Sequence, residues 1–546
     1  FSKKGKYLPQ EKYIQLLKFL AKRADKSKMK LILPEDTLDI NYSLDEEMTY
    51  RCTLIGQEKI NNIMKKVTML KNHVVFRTLI AMWSKNKDLM EVIKKEKNHD
   101  HTIEIDELDL RARLSKESKI SDSDVSKLIL LDETNMNKIR YRYKQRTSLY
   151  ILGNESSEQF IRIDLTYTRT TNAFGKINTA IPNYELEIEY GTSTSSKSEH
   201  LDLMMSEIEL LTKIIQQSNA IITRSVSNKV LEYYRYLLSL PADAHVTALD
   251  ARQSITLEMQ HVTEVLPNKY AVTDKADGER HFMVIYEGSV YFISTNLDVK
   301  NTGIILPSNK KEYNGSIVDG ELIFIPSKNR YLYLIFDCLF CKTEDIRGRS
   351  SLFDRIKYAD DIVANCFTSE KQKGFQFAKK QQVDKFDLDK INSMYFNEIK
   401  SYIENINNDL LIDNKYPLIR RKYFLGATGG KDWEIFSYAV NIWNAFTTSS
   451  ATNCPYLLDG LIFQPLEQAY VSNAKDSKNQ DYKWKPPEKN SIDFYIEFEK
   501  DKTGKILSIY DNSHEDEDED TQFVKNKPYR ICNLHVGNRN KGAEVP

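Results

Sequence analysis

Two segments of this chain carry charge on every second residue. Lys138, Arg140, Arg142, Lys144 and Arg146 alternate in one, and Glu185, Glu187 and Glu189 alternate in the other, with mostly apolar or aromatic residues between them. Period two is the repeat of a β-strand, so each segment lays its charges on one face. Like charges crowded in this way repel unless opposite charge or a divalent cation faces them. A cationic and an anionic strand face suit the interior of a β-tunnel that holds a metal and a polyphosphate. An exposed strand pair with mutual salt bridges is the plainer reading of the same pattern.

Around these segments the chain reads as α+β and multidomain. Apolar spacing predicts a helix over Glu11 to Lys28 and a second, broken one from Gln57 to Glu96. Between about 100 and 190, TIEIDELDLRARLS, NKIRYRYKQRTSLYIL, QFIRIDLTYTRT and NYELEIEY read as successive strands of a largely antiparallel sheet. A long helix from Ser198 then ends at Leu240, before Pro241. A second α+β region runs from Ala248 to Pro487 with a helical insertion over 352–450, and a short β region follows Lys489. The expected domains are 1–242, 243–488 and 489–546. Within the last, His514 and the acidic run Glu515 to Asp520 read as a solvated loop.

Composition limits the function. The chain has 546 residues, with 78 Lys+Arg against 78 Asp+Glu, so a wholly basic packing protein is excluded and nucleic acid must be held by local clusters. Six scattered cysteines fit a reducing compartment better than a disulfide framework. No run approaches the roughly 18 apolar residues of a membrane span. The first residue is Phe1, not Met, and the end carries no evident stop, so a longer polypeptide is expected.

The chemistry concentrates at Lys275-Ala276-Asp277-Gly278-Glu279-Arg280, between two strand-like stretches. A lysine amine attacks a nucleotide α-phosphate only when deprotonated, which neighbouring cations or desolvation favour. Gly278 allows a tight turn close to a ligand, and Arg280 offers forked donors for phosphate or ribose oxygens. Downstream, in order, come Asp319-Gly320-Glu321-Leu322-Ile323, Phe336-Asp337, Asp459-Gly460-Leu461-Ile462-Phe463 and Lys483-Trp484-Lys485. Glu321 and Asp459 supply hard oxygens suited to Mg2+ or Mn2+, while Lys483 and Lys485 share one strand face. The bland alternative is a set of unrelated turns and salt-bridged strands.

These five ordered motifs resemble those of covalent nucleotidyltransferases, and in particular the guanylyltransferase half of mRNA capping enzymes. The resemblance implies that Lys275 forms a lysyl-GMP intermediate, with Asp277, Arg280, Glu321, Phe336, Asp459, Lys483 and Lys485 in the nucleotide site. It also implies a C-terminal OB-fold, whose basic closing motif is not found in this sequence.

The alternating strands resemble those of the triphosphate tunnel metalloenzymes. ELEIE matches the C-terminal glutamate strand, KIRYRYKQR the basic strand, and Arg162-Ile163-Asp164-Leu165-Thr166 the strand between. By this resemblance Glu185, Glu187 and Glu189 hold the metal with Asp164, Arg140, Arg142, Lys144 and Arg146 around the triphosphate. Glu107-Leu108-Asp109-Leu110-Arg111-Ala112-Arg113, read as a further strand, adds Arg111 and Arg113. The family's other glutamate strand reads ExExR, and its best-placed counterpart is Glu47-Met48-Thr49-Tyr50-Arg51, with threonine at the second acidic position. Poxvirus-like and other large-DNA-virus capping enzymes fuse such a tunnel ahead of a guanylyltransferase.

The expected function is therefore mRNA 5′ capping: hydrolysis of an RNA 5′-triphosphate with Glu187 catalytic, then GMP transfer from GTP through Lys275, helped by Arg280. Mg2+ or Mn2+ is the expected cofactor. RNA 5′ ends are the expected partner, with a cap methyltransferase and the transcription machinery beside them. A cytoplasmic place, in a virion or viral factory, is the expected location, with no membrane. An ATP-dependent polynucleotide ligase, a capping subunit with an inactive tunnel scaffold, and a non-catalytic RNA-binding subunit are the alternatives. Cys338-Leu339-Phe340-Cys341 reads as a buried strand end, His99 and His101 as a solvated turn, and the aromatics of 435–446 as core.

Overall fold

The computed structural model describes residues 7–27, 29–45, 47–67, 70–154, 156–192, 197–240, 248–266, 269–367, 388–412, 414–427, 433–448, 453–472, 479–489, 494–500, 506–507, 530–536, 538–540 and 543–545. The first region is an eight-stranded sheet flanked by helices. Its elements are α1 (Gln10–Ser27), β1 (Leu31–Ile32), β2 (Asp36–Ser43), β3 (Met48–Ile55), α2 (Gln57–Val67), α3 (Asn72–Lys85), β4 (Glu91–Ile105), β5 (Leu110–Lys119), α4 (Asp122–Leu128), β6 (Ile139–Leu152), β7 (Gln159–Thr171) and β8 (Pro182–Thr192). The order is β5-β4-β3-β2-β6-β7-β8 with β1 also on β6, and every pairing is antiparallel. Period two makes this sheet two-faced. Leu38, Ile40, Cys52 and Leu54 meet Ile60, Phe76 and Leu79 of α2 and α3. Leu149, Ile163, Leu165 and Leu186 meet Leu16 and Leu20 of α1. Asp39, Lys144, Asp164 and the glutamates of β8 occupy the opposite phase.

Two expectations for this region change. The second helix stops at Lys85, and residues from Glu91 are strand. TIEIDELDLRARLS is a hairpin, because Asp109 turns the chain in a left-handed conformation with φ 52° between β4 and β5.

The expected long helix is likewise two, α5 (Ser198–Gln216) and α6 (Arg224–Leu237). Gln217 is left-handed at φ 51°, the Gln216 amide bridges to the Ile222 backbone, and the Thr223 hydroxyl caps α6. Val230, Tyr234 and Leu238 pack with Phe282, Val284 and Ile293, so α6 shares the core of the second region. Glu107 and Asp109 at the hairpin tip reach its first turn, where Glu107 accepts the Ser225 N–H at 2.9 Å and Asp109 pairs with Arg224.

The second region comprises β9 (Ser254–Thr256), α7 (Met259–Glu264), β10 (Tyr270–Ala276), β11 (Glu279–Tyr286), β12 (Ser289–Ser294), β13 (Val299–Ile305), β14 (Ile317–Ile325), β15 (Arg330–Cys341), β16 (Glu344–Asp345), α8 (Leu352–Cys366), α9 (Leu388–Leu411), β17 (Leu418–Arg421), β18 (Leu425–Gly426), α10 (Glu434–Thr447), β19 (Leu458–Pro465) and β20 (Asp481–Trp484). One sheet runs β18-β10-β19-β20-β9 and the other β13-β12-β11-β14-β15-β16, with β17 on β15. The chain passes from the first to the second between β10 and β11. The insertion is helical as expected but returns two short strands, β17 and β18, to the sheets. Ile435, Tyr438, Ile442 and Phe446 of α10 are core, and Cys338 and Cys341 are buried free thiols. Beyond residue 489 the described residues form β21 (Tyr495–Phe498) with β22 (Cys532–His535) and β23 (Asn538–Asn540) with β24 (Ala543–Val545). The acidic run and the side chains of His99 and His101 lie outside the described residues.

His281 on β11 is fully buried and its Nδ1 donates to the Glu279 carbonyl at 3.0 Å. Burial, with the charge of Lys300, lowers its pKa from 6.5 to about 4. Below 6.5 the unfolded chain therefore takes up a proton that the folded chain refuses until about 4. Stability is present above that window and lost as pH falls through it, by up to about 3 kcal/mol. Urea unfolding of the whole chain at pH 7.5 and 4.5 is expected to show this loss, and His281→Leu to reduce it. An identical pH dependence in the variant would contradict the assignment.

Candidate active sites

The nucleotidyltransferase motifs converge where the two sheets part. Lys275 is next to last on β10, and its ammonium pairs with Asp459 at the start of β19, facing it across the ladder. Lys485, just after β20, meets the same oxygen of Asp459, Oδ2, at 2.9 Å. Desolvation opposes the Asp459 charge, but the two ammoniums outweigh it and hold its pKa below the usual carboxylate range. Lys483 shares the phase of Lys485 and has no ion-pair partner among the described residues. Gly460 is required here, since a Cβ would lie 2.0 Å from the Trp484 carbonyl oxygen.

Arg280 on β11 forms a bidentate pair with Asp319 on β14, at 3.0 and 2.6 Å. Phe336 on β15 lies under the Arg280 guanidinium at 5.4 Å and 6.0 Å from the Lys422 ammonium. Lys422 is buried, and bonds Glu321 at 2.8 Å and the Asp274 carbonyl, next to Lys275, at 2.8 Å. Gly278 lies in the turn between β10 and β11 and also makes room for a neighbour. Its missing Cβ lets Glu321 approach, since that atom would lie 2.8 Å from Glu321 Cγ. Asp277 stands exposed in the turn with its N–H on the Leu457 carbonyl, and no ion pair brings it to the cluster among the described residues. Asp337, beside Phe336, is a buried anchor held by Arg355 at 2.8 and 2.9 Å.

On the sheet of the first region, opposite charges meet between β6, β7 and β8, with Arg162 and Glu189 directly in register. Arg142 pairs with Glu185, Arg146 with Asp164 at 3.4 Å and Glu187 at 3.8 Å, and Arg162 with Glu189 at 2.7 Å. Lys95 on β4 acts electrostatically on Glu187, five strands further along in the sheet order. Enclosure penalises the Glu187 carboxylate, yet Arg146, Arg142 and Lys95 hold its pKa below the ordinary value, while its side chain stays 54% exposed. The same desolvation raises Glu185, which Glu187 also repels.

Several expected lining residues lie elsewhere. Glu47 is an exposed turn residue before β3. Lys138 bonds the Leu44 carbonyl, whereas Arg140 keeps the phase of Arg142 on β6 with one N–H on the Ile139 carbonyl. Arg111 and Arg113 face Glu104 and Thr102 on the hairpin arm, where burial and the neighbouring Arg111 charge lower the Arg113 pKa. Asp39 on β2 is instead the central acidic group, buried and held by Lys144 at 2.7 Å and Thr53 at 2.9 Å. The expected metal set of Glu47, Glu185, Glu187 and Glu189 is therefore not assembled, and among the described residues no three ligating side chains are grouped for a metal. Mg2+ needs only one or two carboxylates beside substrate phosphates, a demand that Glu187 and, in the other site, Asp459 can meet.

Residues 213–401 match the family described as mRNA capping enzyme, catalytic domain. The chain is 33% identical over 534 residues to a probable mRNA-capping enzyme of Acanthamoeba polyphaga mimivirus, covering 94% of this chain and 42% of that protein. The chain is similar to mRNA capping enzymes over part of their length. It is also 26% identical over 263 residues to the mRNA-capping enzyme subunit alpha of Schizosaccharomyces pombe, covering 45% of this chain and 53% of that one. It thus spans about half or less of these relatives. A solved structure of the RNA triphosphatase domain of a trifunctional mimivirus mRNA capping enzyme aligns over 38% of this chain and 85% of that one, with 23% identity and a TM-score of 0.30.

Some site residues escaped sequence reasoning. Lys422 and Tyr470 stand in no motif, and only the fold brings them to Glu321 and Asp319. Asp39 had a readable signal, because Leu38, Ile40 and Tyr42 alternate around it.

Proposed function

We propose that this chain caps RNA, removing the γ-phosphate of a 5′-triphosphate end in the tunnel and then transferring GMP from GTP to the diphosphate end. The observation that carries this reading is the gathering of Lys275, Asp459, Lys485, Arg280 and Phe336 at one sheet junction. Lys275 gives up a proton, with Asp459 in contact, and its Nζ attacks the α-phosphorus of GTP. The phosphorus–nitrogen bond forms as the bond to the bridging oxygen breaks, and pyrophosphate leaves between Lys483 and Lys485. Phe336 offers a face for the base, and Arg280 donates to phosphate or ribose oxygens. The β-phosphate of the RNA then displaces Lys275. The capping and triphosphatase families are metal-dependent and use GTP. Mg2+ or Mn2+ at Asp459 would neutralise charge on the leaving pyrophosphate.

In the tunnel, Arg142, Lys144 and Arg146 grip the triphosphate, and Glu187, ionised at neutral pH, orients the attacking water. A cation shared between Glu187 and the phosphates would stabilise the leaving charge. RNA 5′ ends, a cap methyltransferase and the transcription machinery are the partners this reading implies. Free thiols suit a cytoplasmic, virion or viral-factory setting.

The test is incubation with α-labelled GTP or ATP and Mg2+, followed by denaturing electrophoresis. Label from GTP is expected to stay on the protein; label from ATP alone would favour a polynucleotide ligase. Release of γ-phosphate from triphosphate RNA is expected to vanish in Glu187→Ala, and no release from the parent would leave the tunnel a scaffold.

A further inference from the structure

Arg280 is held by a buried relay in which Arg252 and Tyr470, both outside the five motifs, join the motif residue Asp319. Its Nε and Nη2 bond both oxygens of Asp319, and Nη1 donates to the carbonyl of Arg252, so three of its N–H groups are committed and the other two remain for a ligand. Asp319 is fully buried and accepts a further bond from the Tyr470 hydroxyl at 2.7 Å. That hydroxyl in turn accepts the Arg252 N–H at 3.3 Å. Tyr470 thus touches both holders of Arg280. Its own place is fixed: its N–H bonds the Arg347 carbonyl at 2.8 Å, and its ring packs in the core with Phe282 and Ile293. The Arg252 guanidinium is anchored on the far side by Asp481 on β20, at 2.6 Å. Elements from before β9, from β14, from the β19–β20 connection and from β20 therefore join in the two groups that hold Arg280.

We infer that Tyr470, with Arg252, is a positioning residue for guanylyl transfer: it sets the angle at which Arg280 presents its free N–H groups to the nucleotide. The inference rests on the nucleotidyltransferase reading of the site. A neutral hydroxyl suits the task. A guanidinium and carboxylate alone can slide along each other, whereas a third partner on Asp319 Oδ2 that is also tied to Arg252 removes that freedom. Precise placement of a phosphate-binding fork matters because small misplacements of a positioning group reduce rate strongly.

The experiment is single-turnover formation of the labelled protein from α-labelled GTP, measured in the full chain, Tyr470→Phe, Arg280→Lys and the double variant, with thermal melting alongside. Loss of one hydrogen bond to a charged group predicts a fall of about tenfold in rate for Tyr470→Phe. Arg252→Lys, which keeps the backbone groups of the relay, is expected to fall less. The double variant is expected to be no slower than Arg280→Lys alone, because without the guanidinium there is nothing left to orient. A Tyr470→Phe rate equal to the parent's would overturn the inference. So would an effect that multiplies with that of Arg280→Lys, or one that simply follows a fall in melting temperature. These results leave guanylyl transfer standing, since the parent still labels, whereas an unlabelled parent would overturn both.

Discussion

Replacing Lys275 with alanine is expected to abolish the covalent nucleotide adduct, with a loss of at least about a thousandfold in label per protein at saturating GTP. The expectation follows from where β10 ends. The Lys275 ammonium is anchored by Asp459 across the ladder, and among the described residues Lys485 is the other lysine paired with that carboxylate. Lys483 and Lys485 lie on a different strand, and Lys422 is sealed between Glu321 and Asp274. Lys275→Arg should fail equally, because a guanidinium stays protonated and cannot attack. Full-length variants that melt like the parent yet carry no label would meet the expectation. Label surviving in Lys275→Ala would move the nucleophile elsewhere.

Arg355→Ala is expected to be the most destabilising single change away from the chemistry. Arg355 and Asp337 are both fully buried, joined by two hydrogen bonds, and the guanidinium also bonds the carbonyls of Arg349 and Gln468 at 2.7 and 2.8 Å. Removing the arginine leaves an uncompensated buried carboxylate, which costs about 3–5 kcal/mol. At roughly 2–4 °C per kcal/mol for a domain of this size, the melting temperature should fall by about 10 °C. Arg355→Met combined with Asp337→Leu should recover most of that loss, since no charge is then stranded. A single variant melting within a degree of the parent would show that the pair is not the anchor of β15 and α8.

The same pair marks a limit of reading a motif as a unit. Phe336 and Asp337 are neighbours in sequence, but the β14–β15 register slips between Ile335 and Asp337, and the two side chains take different partners. The phenylalanine meets Arg280 and the aspartate is structural. What the sequence made legible were features set by local periodicity and contiguous motifs: the two-faced strands β6, β7 and β8, the pairing of cationic with anionic positions across them, and the junction around Lys275. What it concealed were features set by long-range register. Nothing local shows that Asp39 will face Lys144, or that the insertion will return Lys422 beneath Glu321. The hairpin turn at Asp109 was hidden because its flanks alternate without a break, and Arg111 and Arg113 were carried with it to the arm. Glu47 was chosen by spacing to Arg51, while the turn before β3 leaves it in solvent.

On the proposed function, one chain carries both steps in order. Mixing the full chain with triphosphate-ended RNA, α-labelled GTP and Mg2+, then separating RNA from protein, tests it most directly. The prediction is label on the RNA, resistant to phosphatase and released by cleavage of the cap's phosphate bridge, with triphosphate and diphosphate ends both accepted. Label that remains on the protein with triphosphate ends and moves only to RNA supplied with a diphosphate end would contradict it.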